Sequence, residues 1–357
     1  MGQKTPYISL PIAQSNYETI PVLKADSLAN QALGELKGIA KTIPNQLMLV
    51  NAIVLQEAKD SSEIENIITT QDELYKAMSA NIQSSPAVKE VVNYRKAIFH
   101  GFNLIESKQT LDLNDLLSIQ ETIVTDKPGI RNSPGTVLVN DKTGETVYTP
   151  PQEKVLILEL LHNFLENFNT INKNIPPLVN LAILHHQFES IHPFYDGNGR
   201  TGRILNILFL SKNGLLDLPI LYLSSFIIEH KSNYYKLLDE VNTTGKWEEW
   251  ILYMLRAIEE TSKKTIAKID LINNELKKAI DLAREKMPKS FKKELIELLF
   301  EQPYCKIEYV VKRLEVERKA ASRYLKELET IKLLSSQKVG REMIYKNIGL
   351  IEILKKR

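Results

Sequence analysis

The chain is predicted to be mainly α-helical and divided into two or three domains, on three observations. Apolar residues recur at helical spacing along most of its length. One stretch, 126–151, interrupts that period with Pro128, Gly129, Pro134, Gly135 and Gly144. Beyond Met287-Pro288-Lys289 the composition shifts, with 17 Lys+Arg against 10 Asp+Glu to the C-terminus, a local charge of +7. At 357 residues the chain is also too long for one small core.

The elements follow in order. Leu28, Ala32, Leu33, Leu36 and Ile39 mark one helical stripe, and Leu47, Val50, Val54 and Leu55 a second. Asp60-Ser61-Ser62 is read as an interruption, with Ser61 or Ser62 capping a short helix of about 61–67. Ser85-Pro86 opens a helix to about Glu106, with Pro in its first turn, and Asn114-Asp115 begins another. In the break, Thr136 to Val139 and Glu145 to Tyr148 read as two strands around Asn140-Asp141-Lys142-Thr143-Gly144, a β-hairpin. Helices resume at Pro151. Pro176-Pro177 start a helix with the buried stripe Leu178, Leu181, Ala182, Phe188 and Ile191; it stops at His192-Pro193, because Pro disfavours helical geometry in the residue before it. A further helix starts near Gly199, and helices continue to about Lys286. The basic tail reads as helices 291–300, 307–314 and 318–331, then a strand-turn-strand over 334–345. That pattern resembles a winged helix-turn-helix, with Lys319, Ser322, Arg323 and Lys326 along the exposed face of its recognition helix.

Composition excludes several classes. A net charge of only +2 makes the whole molecule no electrostatic magnet for nucleic acid or membrane. A single cysteine, Cys305, excludes an intramolecular disulfide framework and a Cys-rich zinc module, and is read as a small buried hydrophobe. Met1 to Ala13 lack a basic segment followed by an apolar one, and no apolar run approaches the roughly 18 residues of a membrane span. A cytoplasmic protein is expected.

The chemistry concentrates in residues 192–203. A helix ending in His-Pro, a glycine-rich loop and a new helix place unpaired N–H groups and a positive dipole end in the loop, which is an anion site. Gly197 and Gly199 let the backbone approach an oxyanion, and Asn198 adds an amide donor. Arg200 and Arg203 lie three apart, on one side of the helix, with planar forks suited to phosphate oxygens. Asp196 is a carboxylate of the kind Mg²⁺ takes alongside phosphates, and His192 a base with an ordinary pKa near neutrality. Gly197-x-Gly199-x-x-Gly202 matches a dinucleotide fingerprint, but a helix precedes it; the P-loop spacing fails because Arg203 and Ile204 stand where Lys and Ser/Thr are required. A metal held by His185, Glu189 and His192, spaced four and three apart, is the competing hydrolase reading; packing near the core is the blander one for His185 and His186.

Residues 192–203, His-Pro-Phe-Tyr-Asp-Gly-Asn-Gly-Arg-Thr-Gly-Arg, resemble the signature HPFxDGNGRxxR of the Fic family at every specified position. The resemblance implies a Fic-type helical bundle with a small β-hairpin flap, plus the C-terminal winged helix-turn-helix. The domains are then 1–84, an N-terminal helical region; 85–286, the Fic core with its flap at 133–150; and 287–357, the winged helix. It also implies a nucleotidyltransferase that moves AMP from ATP to a Ser, Thr or Tyr hydroxyl of a target protein, itself included, and releases pyrophosphate. His192 would be the base, Asp196 would hold Mg²⁺, and Gly197, Asn198, Gly199, Arg200 and Arg203 would bind ATP. The flap would align the target by strand addition, with Val137, Val139 and Tyr148 as candidates.

Ser61-x-x-x-Glu65-Asn66 resembles the inhibitory motif [ST]xxxE[GN] of the same family. Glu65 reaching Arg203 would occupy the fork meant for the γ-phosphate; a solvated Glu65 is the bland reading. In some members the same glutamate helps to remove AMP from a modified protein, which stays an alternative here. A second class of function is a DNA-binding transcriptional regulator acting through the winged helix, and a protein-docking use of that module is the third. Expected partners are therefore ATP, a hydroxyl-bearing protein, and DNA or protein for the tail; a homodimer is compatible with the sequence and a membrane is not.

Overall fold

The structure is a computed structural model that describes residues 7–43, 46–79, 84–124, 126, 128–139 and 146–356. Helix α1 (Ile20–Ala40) starts where Thr19 Oγ1 accepts from the Val22 amide at 3.4 Å, with Pro21 in the first turn. It lies along the long α11 (Glu248–Lys286). Helix α2 (Gln46–Ile64) runs straight through Asp60-Ser61-Ser62 instead of breaking there. The reason is local: Gln56 Nε2 donates to the Asp60 carboxylate one turn on at 2.9 Å, and the Ser61 hydroxyl is used across the molecule, so no side chain there competes for the backbone. The separate helix expected over 61–67 is therefore the last turn of α2, closed by Asn66 in the left-handed region at φ 63°.

Helix α3 (Gln71–Ser79) leads to α4 (Pro86–Lys108), where Ser85 Oγ accepts from the Val88 amide at 3.3 Å. Helix α5 (Leu113–Ile123) begins a residue earlier than expected, because Asp112 and Asp115 form a reciprocal capping box. After the flap come α6 (Lys154–Asn169), α7 (Pro177–Ile191) and α8 (Asn198–Lys212). The apolar stripe expected on α7 is too narrow: Leu178 to Phe188 are all buried, and so are most residues of α8, which makes this pair the centre of the bundle. Trp250 Nε1 of α11 donates to the Ala182 carbonyl at 2.8 Å, and α9 (Ser224–Glu229) and α10 (Lys231–Thr244) close the far side.

The hairpin exists but is short. Strands β1 (Leu138–Val139) and β2 (Thr146–Tyr148) pair antiparallel, Leu138 opposite Tyr148, with an irregular register between Leu138 and Val139. The expected turn residues 140–144, and Glu145, lie outside the described residues.

Beyond Lys286, α12 (Lys293–Glu301), β3 (Tyr304–Lys306), α13 (Ile307–Leu314), α14 (Arg318–Thr330), β4 (Leu334–Val339), β5 (Glu342–Asn347) and α15 (Ile348–Lys355) follow, with sheet order β3-β5-β4. This is a winged helix-turn-helix; β3 and α15 are additions the sequence pattern did not signal. The module docks on α3. Asp72 accepts from Lys346 Nζ and Tyr304 Oη, both at 2.6 Å, and Tyr75 stacks on Tyr304 at 4.9 Å between centroids. Gln71 bridges the Leu354 carbonyl at 2.7 Å and Gln56 of α2 at 2.5 Å. Cys305 is buried and free, as expected. Among the described residues, no helix is long and apolar enough to cross a membrane.

Candidate active site

Helix α7 ends because His192, directly before Pro193, takes a left-handed conformation at φ 46° and ψ 58°. That strained backbone is held from outside. Arg131, fully buried, donates from Nε to the His192 carbonyl at 2.8 Å and from Nη2 to the Pro151 and Ile191 carbonyls. The Arg131 amide also donates to the Pro193 carbonyl at 3.0 Å. Sequence reasoning did not single out Arg131; its only local signal is a basic residue after Gly129-Ile130 in the irregular stretch. Burial lowers the His192 pKa to about 4, with the Arg131 charge adding to the effect. The imidazole is therefore neutral near pH 7 and able to accept a proton.

The loop beyond is shaped by its own side chains. Phe194 is buried and anchors it, as expected. Asn198 has a structural role besides the expected one of amide donor: its Oδ1 accepts from the Phe194 amide at 2.8 Å and its Nδ2 donates to the Phe194 carbonyl at 2.9 Å. Asn198 thereby braces the turn with one Nδ2 hydrogen left over, and the N–H groups at the start of α8 are donors that an anion there would meet. Gly197 sits at φ 81°, and a Cβ there would meet Val124 Cγ2 at 2.8 Å. At Gly199 a Cβ would collide with the Glu65 carboxylate, so the bare backbone is what lets a negative group lie over the helix start. Gln120 Nε2 holds the Asp196 carbonyl at 3.1 Å.

Both arginines face carboxylates. Arg203, only 2% exposed, donates from Nε to Ser61 Oγ at 2.7 Å and from Nη2 to the Ser61 carbonyl at 3.0 Å and Glu65 Oε1 at 2.8 Å. Burial pushes the half-buried Glu65 carboxyl up, but the Arg203 guanidinium outweighs it and holds Glu65 below its ordinary value. Arg200 bridges Glu90 of α4 and Asp196, each at 2.9 Å. Helical spacing put the two arginines on one side, while their forks engage different helices, α2 and α4. A fourth carboxylate, Glu189, lies against the bare Cα of Gly202, and burial raises its pKa to about 7.

The metal-hydrolase constellation does not form. His185 Nε2 meets Tyr234 Oη at 2.9 Å, His186 Nε2 meets the Leu238 carbonyl at 3.2 Å, and burial lowers their pKa values to about 3 and about 4. Among the described residues, no cluster of three His, Cys, Asp or Glu side chains is placed to hold a metal. In the flap, Val137 and Val139 are exposed at 43% and 49%, open to a partner. Tyr148 is used inward instead, its hydroxyl donating to the Ser190 carbonyl at 3.1 Å, so it pins the flap to the end of α7.

Residues 23–103 match the Fic/DOC family N-terminal domain, 110–210 the Fic/DOC family, and 276–350 the C-terminal domain of SoFic-like protein adenylyltransferases. The chain belongs to the Fic/DOC family. It is 42% identical over 73 residues to a probable protein adenylyltransferase of Aquifex aeolicus, covering 20% of this chain and 21% of that protein. It is 28% identical over 123 residues to protein adenylyltransferase fic-1 of Caenorhabditis elegans, covering 33% and 22%. The matched segments thus span about a fifth of the length of these curated relatives. A Fic family protein from Desulfovibrio desulfuricans shares the fold at a TM-score of 0.59 and 18% identity, over 92% of this chain and 96% of that one.

Proposed function

We propose that this protein is an autoinhibited adenylyltransferase that moves AMP from ATP onto a hydroxyl of a target protein. One observation carries the reading: the buried Arg203, at an anion-binding helix start behind a neutral His192, is closed off by Ser61 and Glu65. With Glu65 withdrawn, the Arg203 fork and the α8 N–H groups receive the terminal phosphates of ATP. His192 takes the proton of the target hydroxyl as its oxygen bonds to the α-phosphorus; the bond from that phosphorus to the bridging oxygen breaks, and pyrophosphate leaves. Val137 and Val139 offer the approaching target segment an exposed, extended edge.

Asp196 fits the Mg²⁺ that accompanies ATP. Its carboxylate is 61% exposed at the mouth of the site, and Oδ1 is fixed by the Gly197 amide at 2.6 Å and by Arg200. Such a hard oxygen ligand beside phosphate suits the ion, which supplies charge neutralisation on the phosphates.

The test is transfer of label from α-labelled ATP with Mg²⁺ to the protein itself and to lysate proteins. Wild type should label weakly, Glu65→Gly strongly, and Glu65→Gly/His192→Ala not at all. Equal labelling by the last two variants would remove His192 from the chemistry.

A second reading concerns the winged helix. Arg318, Lys319, Arg323 and Lys326 of α14 and Lys338 and Arg341 of the wing are all exposed, which favours a polyanionic partner such as duplex DNA. Binding of a random-sequence duplex by the full chain should weaken steeply with salt; no binding at low salt would sink this reading.

A further inference from the structure

Outside the signature, and besides Glu65 of α2, a second carboxylate reaches into the phosphate site from another helix. Glu90 of α4 accepts from Arg200 Nη1 at 2.9 Å, while Arg200 Nη2 donates to Asp196 Oδ1 at 2.9 Å. The guanidinium is 2% exposed, so it cannot shed either partner to water, whereas the Asp196 carboxylate is 61% exposed. Asp196 Oδ2 takes no protein hydrogen bond among the described residues.

This arrangement raises a problem of charge. An arginine paired to a metal-binding carboxylate cancels the charge that the cation needs, and in a pair of Arg200 with Asp196 alone the sum is zero. Glu90 restores a net charge of −1 to the group. It also holds the guanidinium by its other nitrogen, which keeps Arg200 from turning both nitrogens onto Asp196 in the two-pronged pairing arginine otherwise favours. One Asp196 oxygen is thereby fixed and the other left facing outward.

We propose that Glu90 is a positioning residue for the divalent cation: it draws off the charge and one prong of Arg200, so that Asp196 stays available to Mg²⁺ bound with ATP. The inference rests on the reading of Asp196 above. Glu90 acts through Arg200 and touches neither nucleotide nor metal.

The experiment uses the full chain with Glu65→Gly, which opens the site, and compares it with Glu65→Gly/Glu90→Gln, Glu65→Gly/Glu90→Asp and Glu65→Gly/Asp196→Asn. ATP binding is measured by calorimetry in EDTA and across a Mg²⁺ titration. Glutamine keeps an oxygen for Arg200 to bond, so the fold is retained while the charge is lost. In EDTA the Glu90→Gln variant should bind ATP as tightly as its parent or more tightly, because a negative charge near the triphosphate has gone. Its Mg²⁺ requirement for half-maximal effect should rise by roughly tenfold, the size expected for one charge lost near a partly exposed cation site. Glu90→Asp, which keeps the charge, should fall closer to the parent, and a role in shape alone would give the reverse order.

An unchanged Mg²⁺ requirement in Glu90→Gln overturns the proposal. So does increased labelling by Glu90→Gln with Glu65 intact, which would make Glu90 a second brake. If Glu65→Gly itself shows no Mg²⁺ effect, or Asp196→Asn shows the same one, the reading of Asp196 fails, and the inference falls with it by a separate route.

Discussion

Replacing Glu65 by glutamine removes one charge from the Arg203 site and almost no volume. Arg203 is 2% exposed and the Glu65 side chain 34% exposed, with 2.8 Å between the bonded atoms. Two unit charges about 4 Å apart at an effective dielectric of about 20 attract by about 4 kcal/mol. Exposure of the Glu65 side discounts that to about 2 kcal/mol. ATP must displace this contact to reach the guanidinium, so Glu65→Gln should tighten ATP binding by roughly 30-fold, at about 1.4 kcal/mol per tenfold. Glu65→Gly should do at least as much, because it also clears the space above Gly199. Calorimetric titration of ATP into the three proteins measures the effect directly. The pH dependence has a definite sign. Arg203 holds the Glu65 carboxyl below its ordinary value, so the contact is fully formed above the usual carboxylate range and is lost only as pH falls beneath it. Lowering the pH from 8 to 6 should therefore leave the brake closed. Unchanged ATP affinity in Glu65→Gln, in a protein that melts normally, would refute the competition on which the reasoning depends.

Three further outcomes are expected. The buried His185, His186 and His192 are lowered to about 3, about 4 and about 4, so between about pH 4.5 and 6.5 they bind protons only when unfolded, and stability rises with pH. Glu57 and Glu189, each raised by burial to about 7, hold protons only when folded across that window and work the other way. Three against two leaves a rise of about 1.4 kcal/mol per pH unit, and Glu57→Gln should roughly double it; a flat urea-unfolding profile across pH 5 to 6 would contradict the assignment. Arg131→Lys keeps the charge but loses the fork that holds three carbonyls, so it should cost about 2–4 kcal/mol in urea unfolding and reduce labelling in the Glu65→Gly background; wild-type stability would show that the His192 conformation needs no outside support. Gly197→Ala must accommodate both φ 81° and a contact with Val124 Cγ2, costing about 1–3 kcal/mol and weakening ATP binding, and a neutral result would remove that glycine's structural role.

Much of this was legible because it is local. A proline after His192 stops a helix in any context, glycines at 197 and 199 free the next helix start, and the spacing of Asp196, Arg200 and Arg203 follows from the order of residues alone. The boundaries of α7 and α13 and the start of α8 were readable for the same reason, and so was the brake motif as a pattern. Through the family resemblance the contact of Glu65 with Arg203 was legible too, but the part that Ser61 plays in it was not. Side chains that serve a distant partner lose their local meaning: Ser61 reads as a helix cap in sequence and is a ligand of Arg203 in space, 142 positions away. Asn198 reads as a donor to substrate and braces Phe194. Tyr148 reads as a docking residue and ties the flap to Ser190. Arg131 and Glu90 carry no pattern, since their roles arise from burial beside His192 and Arg200 and not from any spacing along the chain. The amino-acid sequence by itself determined the helical plan, the glycine-rich loop and the functional groups available there, because those depend on backbone geometry within a few residues. Only the tertiary structure decided that Glu90 and Asp196 share Arg200, because a charge buried in a fold takes the partner that packing brings within about 3 Å.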